Sequence, residues 1–152
     1  MNAKQLRLEV IRPILQYLDL WSKNAENLVF GTACQESNCG EYIRQIGCKD
    51  EVGAFGIYQM ELATHNDIWD NFLKYKPQLA EKIQALKIPG LTDAKNLEYN
   101  LAYSTAMCRI HYYRVPSAIP DGLYGQAQYW KKYYNTELGK GTIEQYQSNY
   151  KE

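Results

Sequence analysis

The stretch GTACQESNCGEY, Gly31 to Tyr42, ends an apolar helical run on a single glutamate, Glu36, and then turns polar and glycine-containing. Upstream, Ser22 or Asn24 can cap a helix that carries Ala25, Leu28, Val29, Thr32 and Ala33. Val29, Thr32, Ala33 and Glu36 follow one another at helical spacing, so the glutamate falls on the stripe that should face the core. A carboxyl placed there is partly desolvated. Desolvation disfavours the charged form, raises the pKa and keeps the acid able to protonate a leaving oxygen near neutral pH. The ordinary alternative is a solvated glutamate at a helix end, and position by itself favours that alternative.

Working outward, the chain reads as mainly helical. A first amphipathic helix is expected from about Ala3 to Leu20, with Leu6, Val10, Ile14 and Leu18 at helical spacing and a kink at Pro13. Glycines at 40, 47, 53 and 56 break up the segment to Met60, which reads as loop or a short β-hairpin. Thr64 can cap a helix bearing Ile68, Trp69, Phe72 and Leu73, and Pro77 marks the start of another. KIPGLTD is a loop, Leu97 to Tyr113 one strong helical run, and Gly122 to Asn135 and Thr142 to Tyr150 the last two helices.

A chain of 152 residues suits one buried core, so a single domain over 1–152 is expected. Lys plus Arg equals Asp plus Glu, 17 against 17, which argues against nucleic acid or an anionic membrane as partner. The N-terminal segment mixes charges into its apolar pattern, so neither a signal peptide nor a membrane insertion is expected. Cys34, Cys39, Cys48 and Cys108 lack the paired spacing of a structural zinc site; cytoplasmic synthesis favours free thiols, and an oxidising destination leaves a bridge among them open. His65 and His111 have no partner at metal-ligand spacing, so no metal site is expected. Tyrosine is abundant, 14 against 3 Phe, which suits either a Tyr-built core or a groove for something partly polar.

About twenty residues beyond Glu36-Ser37 comes GAFGIYQME, Gly53 to Glu61. The pair, ES followed by G-x-x-G-apolar-x-Q-M, resembles the lysozyme-like superfamily of goose-type lysozymes and lytic transglycosylases. Members cleave the β-1,4 bond between MurNAc and GlcNAc in bacterial peptidoglycan without metal or organic cofactor. The resemblance implies an α+β lysozyme-like fold, a helical bundle around the Glu36 helix with a glycine-rich loop or hairpin as the opposite groove wall. Glycines suit that wall because they let backbone approach a sugar closely. Glu36 is then the acid, Gln59 the glutamine beside the cleavage site, and Ser37, Tyr58, Gln59 and Tyr129 the substrate-binding residues. Asn100-Leu101 is similar to the start of a family helix, although Met107 stands where a tyrosine is common. Ala127-Gln128-Tyr129 resembles the opening of a signature whose tyrosine supports the glutamate, but Trp130-Lys131-Lys132 replaces its remainder.

A lytic transglycosylase needs only the one glutamate, because the sugar's own 6-hydroxyl attacks. An inverting hydrolase needs a second carboxylate roughly 6.5 to 9.5 Å away to activate water. Asp50 and Glu61 are the candidates, and their resemblance to acidic positions of goose-type lysozymes favours hydrolysis. Each also has an ordinary reading: Asp50 sits in the charged cluster CKDE, and Glu61 suits the first turn of a helix. The rival from another class is a non-catalytic glycan-binding or virion structural module of the same fold. A wall-degrading protein without a secretion signal suggests a bacteriophage product, made in the host cytoplasm and acting on the periplasmic or external wall, as a monomer or beside other virion proteins. Along Tyr129 to Thr136, Tyr129 and Tyr133 share one helix face and Trp130 and Tyr134 the next; one face belongs to the core, and the other to sugar stacking or a partner surface.

Overall fold

The computed structural model describes residues 1–136 and 138–152. Among these, eight helices and one two-stranded antiparallel sheet make the chain mainly helical. Helix α1 covers residues 3–17, with α-helical Ala3–Gln5 and Arg12–Tyr17 separated by a π-helical segment, Leu6–Ile11. The widened stretch ends at Ile11, just before Pro13, where the sequence predicts a kink. Arg12 N–H bonds five residues back to Arg7 O just before the proline, a spacing that relieves crowding between the ring and the preceding turn. The helix also stops short of Leu20: Asp19 has φ 59°, and Leu20 N–H folds back onto Leu15 O at 2.9 Å.

Helix α2, Lys23–Ser37, starts where Ser22 Oγ accepts the Ala25 N–H at 3.0 Å. It ends because Asn38 and Cys39 both turn left-handed, at φ 49° and 59°. Ser37 Oγ ties off that end, donating to Ala33 O at 3.1 Å and accepting Gly40 N–H at 2.8 Å. Strand β1, Ala54–Phe55, pairs with β2, Met60–Glu61, in the register Ala54 to Glu61 and Phe55 to Met60. Gly56 sits at the tip with φ 79°, and a Cβ there would lie 2.1 Å from Leu97 O, so only glycine lets the hairpin press against the next layer.

Strand β2 runs directly into α3, Leu62–Asn71, so Glu61 takes the N-cap position and Thr64 falls inside the first turn instead of capping it. A 3-10 turn, Leu73–Tyr75, precedes α4, Pro77–Gln84, with Pro77 at its first position. The long run expected over 97–113 is two helices, α5 (Asp93–Tyr99) and α6 (Leu101–Tyr113). Asn100 divides them: it leaves helical geometry at ψ 97°, and its side chain accepts the Tyr103 N–H at 3.1 Å. Helix α7 covers 123–135, α-helical over Leu123–Trp130 and π-helical over Lys131–Asn135. Helix α8, Ile143–Asn149, opens on a capping box of Thr142 and Gln145.

Two apolar clusters share α6, whose residues Tyr103 to Tyr112 are all buried. Cys108 and Tyr112 face a cluster built from α1, α2, α7 and α8, including Leu28, Phe30, Trp130 and Tyr146. Tyr103, Met107 and Ile110 face another that includes Phe55, Met60, Ile68 and Leu97. The hairpin bridges the two: Phe55 and Met60 belong to the second cluster, and Ile57 and Tyr58 at its tip belong to the first. Burying one such side chain contributes roughly 1.5–3 kcal/mol, so these four anchors hold the hairpin firmly. That fixes it beside the C-terminal end of α2. All four cysteines are free thiols.

Candidate active site

Glu36 lies on the last turn of α2, partly exposed, as the 3.6-residue period predicts for the edge of a core-facing stripe. Burial pushes its carboxyl up to about 7, opposed by a single hydrogen bond from Trp130. The indole Nε1–H donates to Oε2 at 3.0 Å. Oε1 has no protein partner among the described residues and is not sealed from solvent. The proton of the neutral acid therefore belongs on Oε1, with Oε2 fixed by the indole. Trp130 is itself fully buried and packs on Tyr146 at 5.3 Å between ring centroids. Its neighbour Lys131 gathers Asn135 Oδ1, Gly139 O and Gly141 O at 2.7, 2.9 and 2.7 Å, which holds the 139–141 segment over the indole edge.

One turn further along α7, Tyr134 links the acid to the hairpin. Its hydroxyl donates to Tyr58 O at 2.6 Å. Burial raises the Tyr134 pKa, and the charges of Cys108 and Glu36 raise it further, so this phenol stays protonated. Tyr134 also lines a small pocket of about 110 Å³ with Gln59, Met60, Glu61, Thr64 and His111. Gln59 holds a left-handed backbone at φ 50°, with both its N–H and its side-chain Nε2 donating to Gly56 O, at 3.1 and 3.0 Å. A non-glycine residue held in that region stores local strain, a feature that clusters at functional positions. Glu61 is exposed on the lip of the same pocket.

Several expected site residues lie elsewhere. Ser37 is buried, and its hydroxyl is consumed in ending α2. Tyr58 is buried too, with its hydroxyl on Thr105 Oγ1 at 2.8 Å, so it contributes a backbone carbonyl and no groove surface. Tyr129 hydrogen-bonds Ser117 O at 2.8 Å and does not touch Glu36. One residue of helix rotates a side chain by about 100°, and this is why the supporting group is Trp130 instead. Asp50 is exposed in the loop between α2 and β1 and is absent from the Glu61 pocket. The structure thus brings Gln59, Glu61 and Tyr134 into one pocket, and Glu36 is not among the residues that line it.

The two histidines serve packing. His65 Nε2 meets Tyr103 Oη at 2.6 Å, and His111 Nε2 donates to Tyr133 O at 3.0 Å. Burial and the adjacent Arg114 charge lower His111 to about 4, so it is neutral at pH 7. Among the described residues no group of three or more His, Cys, Asp or Glu is placed to hold a metal ion. Trp130 and Tyr134 are the residues missed from sequence, though their shared helix face was visible there. No family model, curated protein or solved structure matches the chain.

Proposed function

We propose that the chain cleaves the β-1,4 glycosidic bond between MurNAc and GlcNAc in peptidoglycan, with Glu36 as general acid. The observation that carries this reading is the state of Glu36, a carboxyl raised by burial to about 7 whose Oε2 is fixed by Trp130 and whose Oε1 has no protein partner among the described residues. Its proton passes to the leaving glycosidic oxygen as the bond breaks; in transglycosylation the carboxylate left behind is then the base, whereas in inverting hydrolysis a second carboxylate takes the proton of the attacking water. On this reading Gln59, held in a strained left-handed turn of the hairpin, presents polar groups to a sugar hydroxyl or acetamido group.

For hydrolysis, Glu61 is the carboxylate better placed to activate water, since it shares the pocket with Gln59 and Tyr134 whereas Asp50 does not. Lytic transglycosylation is the second reading, favoured by the single shielded carboxyl; there ionised Glu36 takes the proton of the sugar's 6-hydroxyl. Digestion of purified peptidoglycan followed by mass spectrometry tests both. Muropeptides with reducing MurNAc ends support hydrolysis, and 1,6-anhydro ends support transglycosylation. Walls bound but left intact would replace the enzyme by a glycan-binding module. A bacteriophage setting follows the same reading, and detection of the protein in purified virions would support a packaged role.

A further inference from the structure

Four of the five arginines pair with a carboxylate: Arg7 and Arg12 with Glu26, Arg44 with Glu98, and Arg114 with Asp67. The fifth, Arg109 on α6, is only 8 % exposed and forms no salt bridge among the described residues. Its Nε donates to Leu20 O at 3.0 Å, and its guanidinium lies 5.6 Å from the Tyr113 ring centroid. The terminal Nη groups have no protein acceptor among the described residues, yet neither is sealed from solvent. Burial lowers the Arg109 pKa, and the nearby acidic groups that oppose this are the Cys108 thiol and the Tyr129 and Tyr113 hydroxyls, with no carboxylate among them. A nearly buried cation without an anion is costly, because removal from water is compensated only by a partner charge.

Arg109 lines a pocket of about 380 Å³ whose other residues do not include Glu36. Ser22 and Asn24, at the start of α2, form one side of it, and Tyr113, Tyr129 and the 115–119 segment form the rest. In a helix the first N–H groups have no intrahelical acceptor, so the Lys23 and Asn24 amides add positive potential on the Ser22 side. No carboxylate lines the pocket, and Asn24 Nδ2 donates to Asp121 Oδ1 at 2.6 Å. Glu36 sits at the other end of α2, roughly 20 Å away at 1.5 Å per residue.

We propose that this pocket binds a small monoanionic carboxylate with a flat apolar body, its carboxylate paired in the guanidinium fork of Arg109 and its body against the tyrosine faces. A guanidinium matches a carboxylate with two parallel hydrogen bonds. One cation in a shielded site neutralises one charge, so a phosphate, with about −1.5 to −2 at pH 7, would be left undercompensated. The site is independent of the role of Glu36.

The test is calorimetric and NMR titration of the full chain with benzoate, with benzamide as the neutral isostere and with inorganic phosphate. Benzoate is expected to bind saturably at a Kd of about 1 mM, in the range open to a ligand of this size, with shifts centred on Arg109, Ser22 and Tyr129. Benzamide and phosphate are expected to give no saturable shifts at these residues. Arg109→Lys should weaken benzoate at least about tenfold by losing the fork. Ala118→Trp, at the exposed mouth, should block the pocket while leaving the Arg109 contacts intact, which keeps the test valid where Arg109→Lys fails to fold. The proposal is overturned by absent benzoate binding, by equal binding of benzamide, by preferred binding of phosphate, or by benzoate binding that survives Ala118→Trp.

Discussion

Glu26 and Glu36 stand ten residues apart on one helix, each shielded from water and each accepting one indole N–H, from Trp21 at 2.9 Å and from Trp130 at 3.0 Å. Burial opposes ionisation of both. At Glu26, hydrogen bonds from Arg12, Trp21 and Arg7 outweigh that opposition and hold the carboxyl down to about 2. Near Glu36 no guanidinium intervenes, and the same opposition pushes it up to about 7. An indole hydrogen bond is thus common to a structural carboxylate and a candidate acid, and the count of nearby cations separates them. The lesson is that the C-terminal end of α2 is left uncompensated. Packing elsewhere in the molecule bears the cost.

The largest expected effect lies at the acid. Glu36→Gln keeps shape and the Trp130 contact but removes the proton, so peptidoglycan cleavage should fall by about 10²–10⁴-fold while circular dichroism is unchanged. Glu26→Gln should do the reverse, leaving two arginines facing a neutral amide. Breaking a buried pair costs about 3–5 kcal/mol, and with the Arg12 side chain 42 % exposed we expect about 2–4 kcal/mol by urea denaturation, with cleavage per folded molecule kept.

The two carboxyls should also tilt stability in opposite directions with pH. The Glu26 contribution is complete above its unfolded pKa near 4.5 and is lost as pH falls toward 2. Glu36 has the raised folded pKa, so its contribution is complete below 4.5 and is lost as pH rises through about 7. Between pH 4.5 and 8 the wild type should therefore lose on the order of 1–3 kcal/mol relative to Glu36→Gln, measured as the difference in unfolding free energy. Parallel pH curves for the two proteins would remove the desolvation argument. The smallest effect is expected for Trp130→Phe, which deletes the one donor to Oε2. The Glu36 pKa should rise by about one unit or less, and the basic limb of the activity profile should move with it.

Some of this was legible in the chain. The spacing of Val29, Thr32, Ala33 and Glu36 is enough to place the glutamate at a shielded helix edge, because a helix repeats its faces regularly. Ser22 as cap, Pro77 as helix start and the glycine-rich hairpin were likewise readable from local chemistry. Partnerships set by tertiary packing were not. Arg7 and Arg12 reach Glu26 from 19 and 14 residues away, and only the crossing of α1 over α2 brings them there. Tyr129 and Trp130 are adjacent on α7, and only the packed neighbour decides that Trp130 is the one that bonds Glu36 while Tyr129 bonds Ser117 O. Apolar periodicity runs unbroken through Asn100, whose side chain caps α6, and only the resemblance of Asn100-Leu101 to a family helix start points to the break.

The central claim, that one end of α2 holds a glutamate kept ionised by arginines and the other a glutamate that titrates near neutral pH, is tested most directly by a carbon-detected NMR titration of the glutamate carboxyls, assigned by Glu26→Gln and Glu36→Gln. The prediction is a midpoint of about 7 for Glu36, with Glu26 still ionised at every pH above about 4. A Glu36 midpoint at the ordinary carboxylate value of 4.5 would contradict it.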